Sequence, residues 1–164
     1  MIQHVNLREL PPSARAVATA IQTAVDAAGL REAEAMQSAA AELAGLDTER
    51  TGTLLGTVTR MLLEEQHPDG LDGDDIRALL EGCTKWAAQG LPDVDPHVLL
   101  VVLAGALGIH PEEHEGVTRP SGQAVALHAP TLIAYLLSFR RRLLEPYLVT
   151  AFAEIARTET MEAP

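Results

Sequence analysis

DVDPHVLLVVLAGALGIHP, residues 93–111, is the stretch that decides the fold class. From Val98 to Ile109, twelve consecutive residues carry neither charge nor hydroxyl, inside a chain whose formal net charge is −11. Asp95 followed by Pro96 reads as an N-cap and first helical residue. Gly108 falls where such a helix stops, and Pro111 closes the unit. A helix that is apolar all round has to be covered all round, by other helices or by a second subunit. The stretch therefore predicts a central helix at about 95–108 in an all-α core, with Val101, Val102, Leu103 and Leu107 shut away from solvent. By itself it predicts no chemistry.

The flanking sequence extends the same pattern. Apolar residues recur at spacings of three and four from Ser13 to Ala28, then from Leu30 to Ala44, with Gly29 and Gly45 as stops. Asp47 caps a third helix that ends near His67 and Pro68. Gly52 and Gly56 weaken its first half by roughly 1 kcal/mol each relative to alanine. A fourth helix begins at Asp72 or Asp74 and ends before Gly90, with Cys83 in its buried stripe. Beyond the central helix, residues 110–123 read as a loop and Ser121 to His128 as a short helical turn. A long last element then starts at Pro130 or Thr131 and carries apolar residues to Ile155. Pro146 must kink or divide it, because proline lacks the amide donor and clashes one turn back. No segment alternates with period two. The expectation is an all-α, single-domain bundle of six to eight helices spanning 1–164, with 1–10 and 158–164 frayed.

Composition narrows the function. At 164 residues the chain suits one domain, burying roughly 70% of its unfolded surface. Eleven arginines against one lysine, Lys85, with abundant alanine, read as a GC-rich and hence bacterial coding sequence. The five aromatics leave the core to Leu, Val, Ala, Ile and Met. A pI near 4.8 opposes approach to nucleic acid or to an anionic membrane surface, and suits a protein partner with a basic face. A single cysteine rules out an intramolecular disulfide and fits a reducing compartment. The start MIQHVNLRELPPS is not a signal peptide, and the longest apolar run falls short of the roughly 18–20 residues of a membrane span. The expected location is cytoplasmic.

Four constellations are candidates for a site. His110 and His114 in HPEEHE lie one helical turn apart, a spacing at which two imidazoles and a carboxylate can hold a divalent metal. Zinc hydrolases place a glutamate directly after the first histidine, and Pro111 stands there instead. The plainer reading is a proline-initiated turn with glutamates at a helix N-terminus. Asp69, Asp72, Asp74 and Asp75 fail the alternating pattern of a calcium loop, so they read as a turn with capping aspartates. With Glu64 and Glu65 they still make an acidic patch of six carboxylates, with no basic residue between Arg60 and Arg77. Arg140, Arg141 and Arg142 are the one basic cluster. On a regular helix they point about 100° apart, which suits a solvated helix back near the C-terminus, with an anion site or intersubunit ion pair as the alternative. Finally, Tyr135, Phe139, Leu143 and Tyr147 recur every four residues, forming a core stripe or the wall of a ligand cavity or dimer face. Cys83, mid-helix and apolar in setting, is structural rather than catalytic.

Over residues 47–157, amphipathic helices grouped around an apolar one resemble the ligand-binding and dimerisation half of TetR-type regulators. The likeness is of pattern and not of motif, so it transfers no functional residue. A DNA-reading unit would bring a basic, aromatic-containing helix–turn–helix, whereas residues 1–46 hold three arginines and no aromatic. The chain thus reads as a non-enzymatic interaction or regulatory module, with no cofactor. A small-molecule-binding domain beside the aromatic stripe is the alternative, and a metal-dependent enzyme at His110 and His114 a third. The apolar surplus on 98–109 and 131–157 implies a homodimer. In it, Arg140–Arg142 would face the 64–75 patch of the other subunit.

Overall fold

The computed structural model describes residues 7–109 and 119–162. A 3₁₀ turn at Leu7–Glu9 leads into α1 (Pro12–Leu30), α2 (Ala33–Ala44), α3 (Thr48–Gln66), α4 (Gly73–Ala87), α5 (Pro96–Ala106), α6 (Gly122–Ser138) and α7 (Glu145–Glu162). There is no strand among the described residues, so the all-α class is as expected. One hydrophobic cluster draws buried side chains from each of the seven α-helices among the described residues.

The helix starts fall where side-chain acceptors stand ready for the orphan amides of a first turn. Asp47 accepts from the amides of Glu49 (3.1 Å) and Arg50 (3.3 Å), Asp95 from His97 (2.9 Å), and Ser121 from Ala124 (3.1 Å). Asp72 and Asp75 form a reciprocal capping box at α4. The amide of Asp75 holds the Asp72 carboxyl below the usual carboxylate range.

The centre of the bundle is α6, not α5. Ten of the seventeen residues of α6 are buried, and it packs against α1, α2, α3, α4 and α5. Leu132, Ile133 and Leu136 are wholly enclosed, each contributing roughly 1.5–3 kcal/mol of burial. By contrast α5 buries only Leu99, Leu103 and Ala106 of its eleven residues. Leu103 is inaccessible as expected, whereas Val101, Val102 and Leu107 are half-buried. Among the described residues α3, α4 and α6 are the helices that pack closely against α5, and Leu100 on it remains 39% exposed.

The last third of the chain also divides differently from the sequence expectation. Pro130 does not start a helix; it lies inside α6, buried, one residue before Thr131, whose hydroxyl donates to the Leu127 carbonyl (2.7 Å). Packing on every side holds the helix together across the missing amide bond. The break comes instead at 139–144, and Pro146 sits in the first turn of α7, where its missing donor is harmless. α7 runs on to Glu162, with the hydroxyls of Thr158 and Thr160 donating back to the carbonyls of Glu154 and Ala156. No helix among the described residues is long and apolar enough to cross a membrane.

Candidate functional site

α1 and α6 pack side by side and end together, beside the C-terminal half of α4. Both close with a wrapped C-cap in which the amide two residues past the last turn reaches back five residues. At α1 the Glu32 amide donates to the Ala27 carbonyl (3.2 Å), and at α6 the Arg142 amide donates to Leu137 (3.2 Å). This closure needs a left-handed residue, usually glycine. α5 ends that way on Gly108, at φ 78°. α1 and α6 end instead on Arg31, at φ 53°, and Arg141, at φ 48°. An L side chain in that region costs about 1–2 kcal/mol relative to the right-handed well. Among the described residues these two arginines are the only non-glycine positions with positive φ.

Arg31 is placed by contacts that lie far off in sequence. A Cβ at Gly90 would fall 2.1 Å from the Arg31 carbonyl oxygen, so only glycine lets the chain after α4 seat against the α1–α2 corner. The Arg31 guanidinium then lies 4.7 Å from the centroid of Trp86, a cation–π contact. Trp86 leans on Tyr135 (centroids 5.6 Å, planes at 52°), and Tyr135 meets Phe139 edge-on (4.9 Å, 71°). Gly82 makes room for this row, because a Cβ there would sit 2.1 Å from the Tyr135 hydroxyl oxygen.

Two clefts flank the aromatic row. One, of about 600 Å³, is walled by Val25, Leu30, Trp86, Ala134 and Leu137, with Asp26, Arg31, Arg141 and Arg142 among its polar lining. The other, of about 370 Å³, lies between Tyr135 and Phe139 on one side and Gln66, His67 and Leu79 on the other, with Arg140 beside it.

The sequence candidates are distributed as follows. Tyr135 and Phe139 do come together, but Phe139 is 56% exposed and Leu143 77% exposed, so the four-residue stripe is not a core stripe. The chain breaks after Phe139, which carries Tyr147 off onto α7. There its hydroxyl donates to Glu65 (2.6 Å), with burial and that carboxylate raising its pKa. Arg140, Arg141 and Arg142 are not on a regular helix; they form the turn leaving α6. Arg142 (3.3 Å) and Arg140 (3.9 Å) both reach Glu65 of their own chain. The arginine-to-acid pairing foreseen between subunits is therefore present within one chain. Arg141 has no ion-pair partner among the described residues.

The acidic patch is partly neutralised from outside its own stretch. Arg60 lies 3.9 Å from Glu64, Arg77 lies 3.7 Å from Asp74, and Asp72 and Asp75 cap α4. Asp69 stands in the turn before α4. No group of three His, Cys, Asp or Glu among the described residues is arranged to hold a metal ion. His110 and His114 lie outside the described residues. Cys83 is fully buried and its thiol is pushed up to about 12 by burial, which leaves it protonated and unreactive.

His128 was not foreseen. It is buried, its Nδ1 2.7 Å from the Ala124 carbonyl, while its Nε2 accepts from the Asp95 amide (2.9 Å). The amide can only donate, so Nδ1 carries the proton and the ring is neutral. It ties α6 to the first turn of α5. A lone histidine in an otherwise uncharged run from Gly122 to Ser138 was the available signal. For Arg31 and Trp86, which meet only across the fold, there was none.

No protein-family model, curated protein or solved structure matches the chain.

Proposed function

We propose that the chain is a non-enzymatic helical interaction module that self-associates through the outer side of α5. The observation that carries this reading is the face left uncovered there. Leu100 is 39% exposed and Ile109 55%, with Ala104 and Leu107 half-buried between them. No charged side chain interrupts it between Pro96 and Ile109. Contiguous apolar surface of this kind marks an interaction site, and a second copy meeting the same face about a two-fold axis is the commonest way to cover one. Light scattering at micromolar concentration tests it. The expected mass is about twice the 17.5 kDa of one chain, falling to one chain for Leu100→Glu with helical content unchanged. A wild-type mass of 17.5 kDa that does not change on dilution would overturn the reading.

A second reading, a small-molecule-binding domain, is favoured by the 600 Å³ cleft at the α1–α6 end, whose size lies within the ordinary range for ligand sites. The two readings use different residues, those of α5 and those lining the cleft, and are compatible.

A further inference from the structure

We propose that the cleft at the C-terminal ends of α1 and α6 binds an amphiphilic monocarboxylate, with the carboxylate on Arg141 and Arg31 and the apolar body against Trp86, Leu30 and Leu137. The inference rests on the small-molecule reading above and gives it a ligand class.

Strain points to the arginines. Helix C-termini favour positive charge, but an arginine within the last helical turn supplies that without a left-handed backbone. Glycine at the left-handed position would close either helix at lower cost. Both strained positions are nevertheless arginine, and both line the same cleft. Strain held in this way clusters at sites that bind.

Charge fixes the valence of the ligand. Asp26 on the cleft wall, hydrogen-bonded by Gln22 (3.0 Å), supplies one negative charge, and Glu65, shared by Arg142 and Arg140, supplies a second. Against the four arginines Arg31, Arg140, Arg141 and Arg142 this leaves two positive charges, which the C-termini of α1 and α6, at roughly half a negative charge each, reduce to about one, in a protein of net charge −11. A polyphosphate would be poorly matched, whereas one carboxylate suits the planar guanidinium fork. Valence alone does not call for a carbon chain; the apolar wall of Val25, Leu30, Ala134 and Leu137 does.

Trp86 is the sole tryptophan, so its emission reports on the cleft directly. The wild-type protein would be titrated with octanoate, 1-octanol and octylamine below their aggregation concentrations, by Trp86 fluorescence and by calorimetry. Octanoate should shift the emission and release heat, 1-octanol should bind about tenfold more weakly, and octylamine should not bind measurably. Arg141→Gly should weaken octanoate about tenfold or more while raising Tm by about 2–4 °C, because it removes both the charge and the backbone strain. Arg141→Gln, which retains the strained side chain, should weaken octanoate without that rise. Equal binding of octanoate and 1-octanol, indifferent to Arg141→Gly, would overturn the carboxylate assignment and leave the small-molecule reading standing. Silence from all three probes in both measurements would remove both.

Discussion

Gly82→Ala tests whether the aromatic row is held as the structure places it. Gly82 lies within α4, where alanine is normally better by about 1 kcal/mol. An alanine methyl would sit 2.1 Å from the Tyr135 hydroxyl oxygen and 3.1 Å from the ring carbon that bears it. The first distance is impossible and the second tight, and the ring is rigid, so Tyr135 must swing away. It then loses its contacts with Trp86 and Phe139, each worth about 0.5–1.5 kcal/mol. The loss of about 1–3 kcal/mol outweighs or cancels the helix gain, and the net change is roughly 0–2 kcal/mol of destabilisation. Gly52→Ala is the matched control, since a Cβ there meets nothing within 4 Å and should stabilise by up to about 1 kcal/mol.

Urea unfolding followed by circular dichroism and Trp86 emission would separate the two variants by about 1–3 kcal/mol. Tyr135→Phe removes the atom in the worst clash, so the double variant Gly82→Ala/Tyr135→Phe should be more stable than the two single changes sum to. Equal stabilisation by Gly82→Ala and Gly52→Ala, or strict additivity in the double variant, would refute the reasoning.

Leu103→Ala should cost about 2–5 kcal/mol in urea unfolding, because the side chain is wholly buried, while Leu100→Ala on the outer side of α5 should cost under about 1 kcal/mol. Leu103→Asp should not yield a folded protein by circular dichroism, since it buries a charge with no partner. Gly90→Ala drives a methyl into the Arg31 backbone, so a loss of about 1–3 kcal/mol is expected, with a change in Trp86 emission as the Arg31 corner moves. Burial lowers the His128 pKa below its ordinary value, so the unfolded chain takes up that proton first. Stability should therefore fall as pH drops below about 6.5, levelling off once the folded-state pKa is passed, and His128→Gln should flatten the profile.

Local chemistry was legible where it decides local structure. Asp47, Asp95 and, as one of two candidates, Asp72 were readable as caps because a short oxygen-bearing side chain before a periodic apolar run satisfies amides that nothing else can reach. Pro130 was misread by the same local logic. Its ring costs a helix one amide bond, and only packing from several neighbouring helices, absent from any one-dimensional pattern, compensates. The split at 139–144 was placed too late for the complementary reason. Pro146 announced a boundary, but the wrapped C-cap on Arg141 creates it, and arginine there carries no signal of a left-handed turn. The candidate cleft was only half visible. Arg141 and Arg142 stood out as charges, while Arg31, Trp86 and Gly90 converge across separations that periodicity does not encode.

The displacement of α5 from the centre follows from what an apolar helix demands. Hydrophobicity states how much surface needs covering; it does not say which neighbour covers it. A helix of eleven residues offers a short flank, and among the described residues α3, α4 and α6 pack against it. α6 has seventeen residues and sets small side chains, Ala126, Ala129 and Ala134, among its large ones, so neighbours can close in from several directions. His128 adds a directional bond that pins the start of α5 to α6, which fixes the side α5 turns inward and hence the side it leaves open. The apolar surplus of residues 98–109 is thus displaced rather than removed. It becomes a surface held in one orientation by a part-buried hydrogen bond, so that the proposed meeting with a second copy would leave little ordering to pay for.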